Sequence, residues 1–184
     1  MKKNYEMDMC SGPILGKLLT FTIPLIFSGI LQLLFNAADV IVVGRFAGSQ
    51  SLAAVGSTTA LINLMINIFI GLSVGVNVIV ARYYGAKREK DVQDTIHTAM
   101  ALSIVSGLFL IILGQLLSRP MLELMGTPDD VIDKSTIYMR IIFIGMPANM
   151  IYNFGSAILR AVGDTKRPLY FLTAAGVINV VLNL

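Results

Sequence analysis

Five stretches of this chain carry no Asp, Glu, Lys or Arg: residues 18–38, 46–81, 95–118, 141–159 and 168–184. Crossing the hydrocarbon core of a bilayer takes about 20 apolar residues at about 1.5 Å of rise each. The first four stretches meet that length. The fifth is still apolar at Leu184, so a longer polypeptide is expected. A soluble domain of this size needs a polar face on most of its helices, and 55% hydrophobic residues against 14% charged ones, with a mean hydropathy of +0.77, do not provide it. The expected fold class is therefore all-α, a polytopic membrane helix bundle. After an amino-terminal segment, residues 1–17, about five spans are predicted at 18–44, 52–81, 95–118, 135–159 and 168–184, the last of them truncated.

Charge sets the orientation, because Lys and Arg near span ends are retained on the cytoplasmic side. Lys2, Lys3 and Lys17, then Arg82, Lys87, Arg88 and Lys90, then Arg160, Lys166 and Arg167 fall on alternate connections. The opposite set holds Arg45, Arg119 and Lys134, and its 119–134 loop also carries Glu123, Asp129, Asp130 and Asp133. The amino end is expected inside, in the cytoplasmic (plasma) membrane of a bacterium. The net charge of +3 does not point to nucleic acid, since the basic residues occupy short loops between apolar spans. The first apolar run is longer than a signal-peptide core and lacks a small-residue exit site. Cys10 is the sole cysteine, so no internal disulfide forms.

Local punctuation refines this picture. Ser11-Gly12-Pro13 and Gly48-Ser49-Gln50-Ser51 read as turns, with the second helix starting near Leu52. Gly71 and Gly75, four apart, suit close approach of neighbouring backbones in lipid. Residues 119–125 suit an interfacial amphipathic turn. Thr127-Pro128-Asp129-Asp130 predicts a helix start, with a hydroxyl cap, proline at the first position and acids against the positive helix end. Gly145 and Pro147 predict a bend in the fourth span.

Polar residues inside the spans carry the functional signal. Asp39 is the acidic residue enclosed by apolar sequence, and an ionised carboxylate at a helix centre costs about 2.5–3.5 kcal/mol on insertion scales. Two readings are open. It lies roughly 33 Å along a straight helix from Lys17, so it either reaches outer water or faces a cavity, a partner or a bound cation. Gln32, Asn36 and Asp39 are spaced i, i+4, i+7 and share one stripe. Asn63 and Asn67, Asn149 and Asn153, and Asn179 and Asn183 are i, i+4 pairs on the second, fourth and fifth spans. Amides in lipid also join helices, at about 0.6 kcal/mol per hydrogen bond, but four such stripes together predict a hydrated polar interior.

A carboxylate in such an interior suits cation-coupled transport, because binding H⁺ or Na⁺ changes its charge and biases the helices around it. Amide oxygens serve either ion, so the choice stays open. No firm metal site is read, with Na⁺ at Asp39 as one option, and no cofactor is expected. One His, His97, and one Cys do not assemble a metal site, and no phosphate-binding G-x-x-x-x-G-K-[ST] loop is present. The chain is not expected to be an enzyme.

Three segments, in this order and at these intervals, resemble the multidrug and toxic compound extrusion (MATE) family. They are Phe35-Asn36-Ala37-Ala38-Asp39-Val40-Ile41-Val42-Val43-Gly44-Arg45, then Arg160-Ala161-Val162-Gly163-Asp164-Thr165-Lys166-Arg167-Pro168, then Asn179-Val180-Val181-Leu182-Asn183. The resemblance implies twelve helices in two lobes around a cleft, exporting cationic or amphipathic small molecules by alternating-access antiport with H⁺ or Na⁺. This chain would be most of the amino-terminal lobe, with the remaining carboxy-terminal lobe as its partner and lipid around it. The resemblance also implies that Asp39, Asn179, Asn183 and Asn153 form the cation-coupling site, with Gln32, Asn36, Asn63, Asn67 and Asn149 lining the cleft. Some members carry Asp where Asn183 stands, which puts a two-carboxylate proton mechanism in doubt here. A lipid-linked oligosaccharide flippase of the same superfamily, whose cleft would carry more cations, and a non-transporting membrane scaffold are the competing expectations.

Overall fold

The computed structural model describes residue 7 and residues 12–183, with the side chain of Asn183 outside the described set. Cys10 and the rest of residues 1–6 and 8–11 also lie outside it. The described residues form six helices: α1 Ile14–Phe46, α2 Gly48–Gly85, α3 Glu89–Leu124, α4 Asp129–Ile144, α5 Met146–Ala161 and α6 Lys166–Asn183. By length and composition α1, α2 and α3 are each able to cross a membrane, and α4 with α5 forms a fourth, bent candidate.

Burial explains why these helices need lipid. In the most apolar window of α1 only 6% of residues are buried, and in that of α2 only 11%. Ile23, Ile30, Leu33, Ile41 and Ile68 stand 47–72% exposed. Continuous apolar surface on this scale is an association hazard in water and the ordinary state in a bilayer, where the helix satisfies its own backbone groups.

The chain divides into two compact units. One comprises Val40–Ser73 and Thr98–Phe154. Its core is a small-residue stripe on α3 in which Ser103, Ser106, Gly107, Leu110, Gly114, Ser118 and Leu122 are all buried. Small residues let a neighbouring helix come close where lipid supplies no hydrophobic drive between helices. A side chain at Gly107 would collide with Pro147, and one at Gly114 with the ring of Phe143. Phe143, Met139, Met150 and Phe154 are fully buried on the α4–α5 side. The predicted bend is present: α4 and α5 meet at 48° across Gly145. Pro147 has no N–H for the carbonyl four residues back, and its ring crowds that carbonyl. Gln115 Nε2 donates to Arg140 O at 3.0 Å, and Arg119 bridges Glu123 and Asp133 at 3.0 Å each. The Glu123 bond, then the charge of Asp133, hold the Arg119 guanidinium above its usual pKa.

The other unit comprises Met1–Asp39, Val74–His97 and Gly155–Leu184. Here Asn77 Nδ2 donates to Ala157 O at 2.7 Å, tying α2 to α5. The Phe35 ring of α1 occupies the space a side chain at Gly176 of α6 would need.

Three helices end in the same way. At Lys87 (φ 57°), Gly126 (φ 70°) and Gly163 (φ 86°) a left-handed residue lets two backbone N–H groups return to the last turn. This geometry corrects one reading. Thr127 N donates to Leu122 O as part of the close of α3, so Thr127 does not cap α4; Pro128 takes that position without a side-chain bond. Asp129 and Asp130 keep their place in the first turn. Three further expectations shift. Gly48 to Ser51 are helical, and Ala47 alone links α1 to α2, because Gly48 reverses the chain at φ +81°. Residues 119–124 are the last turns of α3 rather than a separate interfacial turn, with Pro120 inside the helix. A side chain at Gly71 or Gly75 would meet open space, so the close approaches are made at Gly107, Gly114 and Gly176 instead.

Candidate functional site

The site is built on α1. Its exposed apolar side chains face away from protein, and Pro24 is the residue buried in this helix among those described. Asp39 is half-buried, whereas Gln32 and Asn36, on the same stripe, are exposed. The reason is local packing. Phe35 anchors α1 on Gly176 of α6, and Asp39 follows Phe35 by one turn. On α6, Asn179 follows Gly176 by one turn and is also half-buried. Asp39 and Asn179 each take part in a hydrogen-bonding or electrostatic interaction. Both residues, with Gln32 and Asn36, belong to the same compact unit.

The remaining amides behave differently. Asn63, Asn67 and Asn149 are exposed and Asn153 is half-buried, all four in the other unit. Asn153 Nδ2 donates to Asn149 Oδ1 at 2.7 Å and to Asn149 O at 2.9 Å. This i, i+4 pair therefore satisfies part of its own hydrogen-bonding capacity along the helix. Asn183 lies in α6, and its side chain is outside the described residues. Among the described residues no three His, Cys, Asp or Glu side chains cluster. A cation at Asp39 would thus rest on one carboxylate and neutral oxygens, a hard donor set that suits Na⁺ or a proton and not a thiophilic metal.

Two polar residues escaped the sequence reading. Asn77 lies 14 residues beyond Asn63, almost four full turns and so on the same side of α2, and that periodicity was the available signal. Asp164 appears in the sequence only as one member of the family-like segment from Arg160 to Pro168, yet it is fully buried. Its Oδ1 accepts from the backbone N–H groups of Lys166 and Arg167 at 3.1 Å each, which caps α6. Its Oδ2 lies 3.2 Å from Arg167 Nε as an ion pair without hydrogen-bond geometry. Gly163, just before it, packs where any side chain would meet the Met7 carbonyl at 2.5 Å. The available signal was a Gly-Asp-Thr ahead of a basic helix start, the pattern of a helix close followed by an N-cap. Asp164→Ala is expected to lower stability by about 1–2 kcal/mol through loss of the cap, and Asp164→Asn to retain most of it. Thermal unfolding of the detergent-solubilised variants checks both.

Comparison with known proteins places this architecture. The family model MatE matches residues 24–184. The probable multidrug resistance protein YoeA of Bacillus subtilis is 35% identical over 162 residues, 88% of this chain and 35% of that protein. The FAD transporter of Shewanella oneidensis is 28% identical over 95% of this chain and 38% of its own length. A MATE crystal structure in complex with MaL6 superimposes with a TM-score of 0.89 at 26% identity, covering 100% of this chain and 40% of that one. Outward-facing and inward-facing structures of a multidrug resistance MATE family transporter give TM-scores of 0.84 and 0.76, at 27% and 26% identity, over 91% and 89% of this chain and 37% and 38% of theirs. The chain spans 35–39% of the length of its curated relatives YoeA, YpnP and the FAD transporter.

Proposed function

The chain belongs to the MatE family, and on that premise we propose that it forms most of the amino-terminal lobe of a cation-coupled efflux transporter for amphipathic or cationic small molecules. The observation that carries this reading is the half-buried carboxylate of Asp39 on a helix otherwise given over to apolar exposure. A carboxylate kept in such a helix needs a compensating partner, and a coupling cation supplies one whose arrival and departure change the local charge.

Asn179 supports it. Both α1 and α6 begin at basic residues, Lys17 and Lys166 with Arg167, and so enter the membrane from the same side on the positive-inside rule. Parallel helices anchored at Phe35 and Gly176 bring the next turn of each, with Asp39 and Asn179, to one level. The cation then binds between them while Asn183, one turn further on, extends the site. By the family resemblance Asn153 joins the coupling residues, and Gln32, Asn36, Asn63, Asn67 and Asn149 line the cleft. Likeness to transporter structures facing opposite sides of the membrane supports alternating access as the cycle.

The test uses the full-length transporter in proteoliposomes loaded with a fluorescent organic cation. Raising Na⁺ or H⁺ outside the dye-loaded vesicles, so that the ion runs inward as the dye leaves, is expected to accelerate dye release severalfold with the coupling ion and not with the other. Dye movement indifferent to both gradients, with the protein correctly inserted, overturns the reading.

A further inference from the structure

An apolar groove of about 320 Å³ opens in the unit containing Val40–Ser73 and Thr98–Phe154. Its walls are Val43 from the end of α1, Val55 from α2, and Ile137 and Ile141 from α4, with Tyr138 beside them and Lys134 at one end. Lys134 and Ile141 are seven residues apart on α4, which is about 10 Å of helix. The Lys134 end lies by the one-residue α1–α2 link and close to the start of α4, where these helices leave the hydrocarbon. The other end runs into the span. A cation at the membrane boundary above a strip of aliphatic side chains has the polarity of a single lipid, headgroup outward and chain inward.

Charge decides which lipid. Lys134 Nζ donates to the neutral Gln50 Oε1 at 2.8 Å. The adjacent acids Asp133 and Glu123 are both engaged by Arg119, and Asp129 and Asp130 lie at the first turn of α4, before Lys134. The ammonium group thus meets an amide where a phosphate oxygen would bind more strongly. We propose that this groove holds one acyl chain of an anionic phospholipid whose phosphate is bound by Lys134. The volume lies at the lower end of the range of small-molecule sites, enough for part of a chain. Exposure of Ile137 and Ile141 at about 60% leaves the groove open to the bilayer, as lipid exchange requires.

The test is native mass spectrometry of the full-length, delipidated transporter titrated with phosphatidylglycerol and with phosphatidylcholine of the same chains. Wild type is expected to retain one phosphatidylglycerol with about a fivefold preference over phosphatidylcholine, the contribution of one lysine at a membrane surface. Lys134→Ala should erase that preference and Lys134→Arg restore it, while Arg45→Ala, an exposed cation outside the groove, should leave it intact. Val55→Phe, which narrows the groove, should weaken both lipids. A preference that survives Lys134→Ala, or that falls equally with Arg45→Ala, overturns the proposal. So does a protein that retains no lipid here because other polypeptide covers the groove. Lys134 is on the surface, so its variants keep the fold, and a monodisperse elution profile checks this.

Discussion

Replacing Asp39 by Asn is expected to leave the transporter folded and inserted and to stop gradient-driven export. The substitution preserves size and hydrogen bonding but removes the charge that H⁺ or Na⁺ neutralises. The coupling free energy between two bound species typically corresponds to a change of about 5–150-fold, and all of it is lost when the coupling ion no longer binds. Dye efflux should therefore fall at least roughly tenfold and become indifferent to Na⁺ concentration and to pH. Asn179→Ala should act in the same direction but less, because it removes a neutral ligand worth about 0.6 kcal/mol, or roughly threefold. Efflux and expression are measured together. Wild-type efflux by a well-expressed Asp39→Asn protein would remove the proposed site.

Gly114→Leu is expected to be strongly destabilising. The buried Phe143 ring occupies the space beside Gly114, so even a methyl group must displace it, and four carbons force α3 and α4 apart. Overpacking of this kind costs typically 1–3 kcal/mol and more where the neighbour is fully buried, so a loss of roughly 3 kcal/mol is expected. Gly71→Leu serves as the control, since that position meets open space, and should change stability by less than about 0.5 kcal/mol. Fluorescence-detected size-exclusion chromatography after heating separates the two. Equal melting of both variants would mean that the α3–α4 contact is not close-packed.

What the sequence revealed and what it withheld follow from the range of the forces involved. Helix class and membrane residence were legible because solvation by lipid acts on every residue of an uncharged run. The bend at Gly145 and Pro147 was legible because a missing N–H is a covalent fact. Helix-to-helix partners were not. Gly71 and Gly75 have the spacing of an interface, yet Gly107, Gly114 and Gly176 make the close approaches, because which face of a helix meets a neighbour depends on residues far away in the chain. Thr127 has the chemistry of a cap, but the left-handed Gly126 before it draws its backbone into the end of α3. For the candidate site, the stripe of Gln32, Asn36 and Asp39 was visible in one helix. That Asp39 is the half-buried member depends on Phe35 meeting Gly176, a contact between residues 141 positions apart in number.

The link at Ala47 has a practical corollary. A protease must draw several residues into an extended strand within its cleft, and an epitope tag needs comparable slack. A connection of one residue between two helices grants neither. Digestion of sealed vesicles from the side where α1 meets α2 should spare this junction, and probes of sidedness are better inserted at the Gly126–Pro128 turn.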